Sequence, residues 1–363
     1  MFNQLWKTAE SNSVKVLNAL KEVRLAESDL WGSTGYGLDD FGREKLEKAY
    51  AYCFGAEASL VRPNISSGTH VAYLVAMSLD LAKKKVAFSP CEPYDSVFEN
   101  IKHLLWKWVV WDLNDEPINA DVLWLQRSGG YRWHEGLNID ELRKAIDLFR
   151  SLNPDAVIVV DNCYGEFVED LEPSQVGADI VFGSLIKNLG GTVTPTGAYV
   201  AGKKELVDKV SEVLFGPALA KEQGATGNFL KGAFQGLFLA PIMVYNALLS
   251  KQLMLERLNN TLKERFPFSD IIVRTRWDDE EHMLAAAHII QSTGPVNSHV
   301  TPTPFEMGGY ADPIVMAWTG FIQGESLSLS ADGTVKPPYE LFIQPGVNPF
   351  IIEGLSAELK SLL

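Results

Sequence analysis

The stretch from Asp121 to Asp161 constrains the fold more than any other part of the chain. Asp121–Gln126 is an apolar run of strand length. Asn138 and Glu141 have the spacing of a capping box, in which each side chain accepts from the other residue's backbone N–H at the start of a helix. Ile139, Leu142, Ile146 and Phe149 follow at helical spacing. Asn153-Pro154 ends that helix, because the residue before a proline avoids the α region. Ala156–Val160 is then a strand with no polar alternation. Strands that are apolar on both faces and alternate with helices make a mostly parallel sheet covered on both sides.

The same rhythm recurs on either side. Strand-like runs occur at 56–62, Lys85–Ser89, Trp108–Asp112, Ile180–Phe182 and Ala198–Ala201. Helical patterns cover 1–30 and a segment capped by Asp40 that carries Leu46, Ala49, Tyr50 and Cys53 on one face. A further helix is expected from about Val71 to Leu81. Near 241 the texture changes: a long helix is expected over 242–265, followed by short strands and helices. The chain therefore reads as α/β, with a helical arm and Gly-rich segment (1–45), a large sheet domain (46–240) and a smaller α+β domain (241–363). Its 363 residues suffice for both domains.

Composition removes several function classes. A net charge of −14 lacks the basic footprint that nucleic-acid binding needs. Three cysteines, Cys53, Cys91 and Cys163, make neither a disulfide framework nor a C-x-x-C zinc ribbon. His282 and His288 lack the i, i+4 spacing of a helical metal site, so no metal is expected. The N-terminus is too mixed for a signal peptide, and no apolar run is read as a membrane span. A cytoplasmic protein without a membrane partner is the expectation.

In parallel sheets, ligands sit beyond the C-terminal ends of the strands. Asp161 directly follows an apolar strand, where a carboxylate could face the pyridine nitrogen of pyridoxal phosphate. Taken alone, it is equally a strand-end cap for a turn. Lys187 follows the strand ending at Phe182, among apolar neighbours that could lower its pKa and make it an amine nucleophile. A lone lysine is more often solvated, but here Asp161 and Lys187 each stand at a strand exit, separated by a segment of hairpin length. Ser184 lies three residues before the lysine, within reach of a phosphate oxygen. Ser66-Ser67-Gly68-Thr69-His70 opens a helix with small residues that let backbone N–H groups approach an anion. Tyr94 follows another strand and could stack on a flat ring, though such a tyrosine is more often packing.

Together these segments resemble the methionine γ-lyase-like family, often labelled aluminium-resistance proteins, which are fold-type-I pyridoxal-phosphate enzymes related to the cystathionine lyases. The resemblance rests on Gly35-Tyr36-Gly37, Ser67-Gly68-Thr69-His70, Pro93-Tyr94-Asp95, Gln126-Arg127-Ser128, the Asp161–Phe167 block, Gly183–Asn188 and Leu329–Gly333, in family order over nearly the whole chain. It implies that Lys187 holds the cofactor as a Schiff base and that Asp161 partners the pyridine nitrogen. It also implies that Ser67, Gly68, Thr69 and Ser184 bind the phosphate and that Tyr94 stacks on the ring and assists proton transfer. Tyr36 would reach the phosphate of a neighbouring subunit, making residues 1–45 a partner-contacting arm in a homodimer or homotetramer. Three departures fall near the substrate: Leu189-Gly190-Gly191-Thr192 after the lysine, Gly129 in place of an arginine, and Lys336 in place of another. Arg127 and Lys336 are the candidates for gripping a substrate carboxylate. The implied reaction is elimination, most readily γ-elimination, on an L-amino acid bearing a thiol or halide, with conversion of a chlorinated unsaturated amino acid to an alkyne as one form. A β-lyase, an aminotransferase and a non-catalytic binding protein of the same fold are the alternatives.

Overall fold

The computed structural model describes residues 1–363. In chain order, α1 (Phe2–Glu22) leads to α2 (Phe41–Phe54), β1 (Ala58–Arg62), α3 (Gly68–Ser78), β2 (Lys85–Ser89), α4 (Asp95–Ile101) and β3 (Lys107–Val110). Then come β4 (Val122–Gln126), α5 (Ile139–Leu152), β5 (Val157–Asp161), β6 (Ile180–Ser184), β7 (Ala198–Gly202), α6 (Lys204–Phe215) and α7 (Phe229–Arg257). The remainder is β8 (Val273–Arg276), α8 (Glu280–Thr293), β9 (Ile314–Trp318), β10 (Ser330–Thr334), β11 (Glu340–Gln344) and α9 (Ile352–Lys360).

Seven strands form one sheet in the order β1-β7-β6-β5-β4-β2-β3. β7 is antiparallel to both of its neighbours and the other pairings are parallel. Period-two alternation then buries both faces. Val86, Phe88, Val122, Trp124, Val159 and Phe182 pack under α3, α4 and α6, while Ala87, Leu123, Leu125, Ile158, Val160 and Val181 pack against α2, α5 and α7. Four antiparallel strands, β8-β11-β10-β9, form a second sheet whose own apolar core holds Val273, Val315, Ala331 and Ile343 against α8 and α9.

Local signals in the sequence explain several boundaries. Asp40 caps α2 by accepting from the Arg43 amide at 2.9 Å. Asn138 and Glu141 form the expected box, with both bonds at 3.0 Å. The N-terminal helix stops at Glu22, earlier than expected, where Arg24 turns into the left-handed region at φ 51°. The long helix begins at Phe229 rather than 242, and so spans the expected domain boundary at 241. Gly232, Gly236 and Pro241 have low helix propensity, but Gly236 is required there: an added Cβ would lie 2.2 Å from Thr194 Oγ1. Tertiary packing thus overrides propensity. By length and composition α7 could cross a membrane, in contrast to the sequence expectation. In the fold it is a core helix, with Leu230, Leu237, Val244 and Leu248 buried.

β5 and β6 are parallel neighbours, so the segment between Asp161 and Ile180 is a crossover and not a hairpin. That places the ends of both strands, Asp161 and Ser184, on the same edge of the sheet. The following turn carries Lys187.

Candidate active site

A cavity of about 240 Å³ lies at this edge. Its lining includes Ser67, Gly68, Thr69, Tyr94, Asp161, Ser184 and Lys187. Seven residues singled out in the sequence therefore surround one space, although they come from four separate segments.

The lysine is set by a tight local structure. Lys187 precedes a short 3₁₀ turn, Asn188–Gly190, and its Nζ donates to the Gly324 carbonyl at 2.7 Å. The same nitrogen sits 4.9 Å from the centre of the Tyr164 ring. Burial pushes its pKa below the usual lysine value, against the opposing pull of Asp332, so it is more readily the free amine that a nucleophile must be.

Asp161 ends β5 and is 1% exposed. Its Oδ1 accepts from the Cys163 amide at 3.0 Å. Burial raises its carboxyl to about 6, with the Cys163 and Gln126 bonds opposing. No cation is bonded to it. An anion in this position is stabilised by any positive or hydrogen-donating ring atom brought against it.

The turn after Asp161 is strained, with Tyr164 at φ 70° and Phe167 at φ 59°. Such non-glycine residues cost about 1–3 kcal/mol each and persist only where their surroundings impose them. Here Asn188 imposes them, its Nδ2 donating to the Tyr164 and Glu166 carbonyls at 3.0 and 2.9 Å. The residue next to the lysine thus ties the lysine turn to the aspartate turn. Nothing in spacing or composition foretold that tie.

On the opposite wall, α3 points its N-terminus at the cavity. Ser67 caps the helix by accepting from the His70 amide at 3.0 Å. Gly68 leaves a narrow cradle: a Cβ there would stand 3.4 Å from Cys163 Sγ and 3.6 Å from Ser184 Cβ. Free amides, a helix dipole and the Ser184 hydroxyl together make an anion site. Tyr94 covers the space from the side, its ring packed against Gly130, where a Cβ would come within 1.8 Å of the Tyr94 ring. Its buried hydroxyl has no hydrogen-bond partner, and burial, with Asp161 next, pushes its pKa well above the ordinary tyrosine value.

The other expected residues lie elsewhere. Arg127 is fully buried below the cavity, donating to Asn162 at 2.8 Å, Glu169 at 3.1 Å and Glu172 at 3.3 Å. Its terminal nitrogens are committed to two carboxylates and an amide, and it does not line the site. Lys336 pairs with Asp312 at 2.6 Å in a neighbouring cleft beside Arg132 and Trp133, on which Tyr131 also borders, and lines neither cavity of the site. Tyr36 is 76% exposed on a surface loop and is outside its own chain's cavity. Gly129 is also explained: a Cβ there would lie 2.2 Å from the His134 carbonyl and 2.6 Å from the Arg274 guanidinium. Arg274 fills that space, paired with Asp270 at 2.6 Å and Glu264 at 2.9 Å. Because Arg127 belongs to a buried ionic network, Arg127→Ala is expected to lower stability by about 3–5 kcal/mol while leaving KM for substrate nearly unchanged. Chemical denaturation alongside steady-state kinetics checks this.

A second, larger cavity of about 630 Å³ adjoins the first through Tyr131, Lys187 and Gly324. Val300, Phe305, Met316 and Trp318 give it an apolar wall; Gln291, Gln344 and Asp332 supply polar groups. Sequence reasoning missed this chamber because its residues come from the irregular C-terminal part.

A seven-stranded, mostly parallel sheet followed by a four-stranded antiparallel sheet, with a lysine and an aspartate at adjacent strand ends, is the architecture of fold-type-I pyridoxal-phosphate-dependent lyases. The chain belongs to the methionine gamma-lyase family, whose model matches residues 1–104 and 106–355. It is 36% identical to the uncharacterized protein YnbB of Bacillus subtilis, over 95% of this chain and 88% of that protein. A Listeria monocytogenes protein, provisionally described as a cystathionine beta-lyase involved in aluminum resistance, superposes with a TM-score of 0.90 at 34% identity, covering 99% of this chain and 96% of its own. The pyridoxal-5'-phosphate dependent protein YhfS of Escherichia coli shares the fold at 13% identity, with a TM-score of 0.67 and coverage of 99% and 96%.

Proposed function

We propose that this chain binds pyridoxal 5'-phosphate through Lys187 and catalyses γ-elimination of a thiol from an L-amino acid. The observation that carries the reading is the convergence of Lys187, Asp161, Tyr94, Ser184 and the α3 N-terminus on one cavity. The residues fit that cofactor at each end. The Gly68 cradle and Ser184 suit a phosphate. The uncompensated Asp161 carboxylate suits a pyridine nitrogen, and the partnerless Tyr94 hydroxyl faces a polar group still to be supplied.

When bound, the cofactor withdraws electrons from the substrate Cα. The protein's own part is to hold and move protons. Lys187 anchors the cofactor and, once displaced by the substrate amine, is the free amine placed to take the Cα proton. Its lowered pKa favours that role. Asp161 holds a proton on the facing nitrogen and resists its loss. Tyr94, kept protonated by burial, walls the ring and can return a proton to the substrate. The apolar wall of the larger cavity excludes water and suits a thioether side chain. No residue there selects for a halide.

In the same reading the enzyme works as a homodimer or a pair of dimers in the cytoplasm, with the exposed Tyr36 delivered to the neighbour's phosphate site. The Listeria protein's description favours β-elimination as the second reading. Incubating the cofactor-loaded protein with L-methionine and L-cystathionine separates the two. γ-Elimination yields 2-oxobutanoate, ammonia and a thiol; pyruvate from cystathionine indicates β-elimination. Amino transfer to a keto acid without free ammonia contradicts both.

A further inference from the structure

Several buried carboxylates in this protein are matched by cations. Asp270 is held by Lys251 and Arg274, Asp179 by Arg150 and Lys203, and Glu172 by Arg127. Glu325, in the larger cavity, accepts from the Leu327 and Ser328 amides at 2.8 and 3.1 Å. Asp332, like Asp161 and Glu166, has no cation bonded to it. It stands half-buried on β10 in the wall of that cavity, where Gln344 Nε2 approaches at 3.5 Å, the limit of a hydrogen bond, and the Tyr131 hydroxyl is the other neighbouring donor. Gln344 is better engaged with Tyr131, donating to its hydroxyl at 3.1 Å, and that hydroxyl lies 2.8 Å from the Tyr164 hydroxyl. Lys187 is the one cation lining the cavity, and it spends its hydrogen bond on the Gly324 carbonyl rather than on Asp332.

Resting on the function proposed above, we infer that Asp332 is the residue that receives the α-ammonium of the incoming amino acid and holds it beside Lys187. A half-buried carboxylate in a cavity wall with no bonded cation offers an open place for one, which a ligand can supply. Attachment of a cofactor to Lys187 would turn its ammonium into a less basic imine and so weaken the one positive neighbour Asp332 has in the cavity. The group that must next approach Lys187 is an amine, and amino acids carry it protonated at neutral pH. Asp332 thus offers the complementary charge at the place where the exchange begins. Burial favours the same role from the other side, since it raises the carboxyl to about 6, leaving it ionised at pH 7–8 yet able to accept a proton. The step balances simply: the ammonium N–H bond is given up to a carboxylate oxygen, and the amine keeps the electron pair with which it attacks.

The test compares L-norleucine, which has no leaving group, with hexanoate, which has the same chain and carboxylate but no amine. Calorimetric Kd values are measured for the pyridoxal-phosphate-loaded wild type, Asp332→Asn and Asp332→Ser. Asp332 faces open space and has no ion pair, so neither variant removes a packing contact. The expected result is a norleucine Kd raised about 10- to 100-fold in both variants, with the visible cofactor band and hexanoate affinity unchanged. An unchanged norleucine Kd overturns the inference, as does a parallel loss of hexanoate affinity or an absence of norleucine binding to the loaded wild type. A wild-type protein that takes up no pyridoxal phosphate instead defeats the functional reading on which the inference rests.

Discussion

The Lys187→Ala variant is expected to lose the visible absorbance of the cofactor-loaded protein and at least about 10³-fold in turnover. The size of the effect follows from the two roles that converge on one nitrogen. Lys187 both anchors the cofactor and moves the Cα proton, and no second lysine lines either cavity. The fold itself should survive, because the side chain makes a single hydrogen bond, to the Gly324 carbonyl. Absorbance spectroscopy, with circular dichroism as the folding control, checks this outcome.

Asp161→Asn separates binding from chemistry. Asparagine keeps the shape and can still accept from the Cys163 amide, but it cannot supply charge to a ring nitrogen. The variant should retain the visible band and lose about 10²–10³-fold in kcat, the range for removing one electrostatic contact at a reacting centre. Stability of the cofactor-free protein should move the opposite way. Burial raises the Asp161 carboxyl from 3.8 to about 6, so the folded state binds its proton more tightly than the unfolded chain. The penalty for burying the charge is therefore fully present above pH 6, fades between pH 6 and 4, and vanishes below. Free of cofactor, Asp161→Asn should be more stable than wild type by up to roughly 3 kcal/mol at pH 8, with no difference at pH 3.5. Denaturant titrations at the two pH values give the comparison.

The site was legible in the sequence where chemistry and local structure share a few neighbouring residues. β2 and β4 follow from uninterrupted apolar runs and match the expected limits. Asp161, Ser184 and Lys187 follow from their positions just past such runs, and the parallel pairing of β5 and β6 brings them together. Contacts between distant segments were not legible. Asn188 looked like an ordinary neighbour of the lysine, yet it pins a strained turn more than twenty residues upstream. Arg127 looked free to grip a carboxylate because its partners Glu169 and Glu172 meet it only in the fold. Gly129 looked like a lost function, whereas Arg274 takes the space from another strand. Asp332 lies in a segment whose short strands carry no periodic signal, and only the folded chain puts it across from Lys187. α7 was placed too far along the chain: it starts at Phe229, and packing keeps it intact through Gly232, Gly236 and Pro241.

Pyridoxal phosphate is expected to be bound covalently to Lys187. The most direct test is borohydride reduction of the cofactor-loaded wild-type protein, followed by proteolysis and mass spectrometry. The expected result is a pyridoxyl-phosphate adduct on the peptide containing Gly183–Asn188, localised to Lys187. An adduct on another lysine, or none on a protein that remains folded, would contradict it.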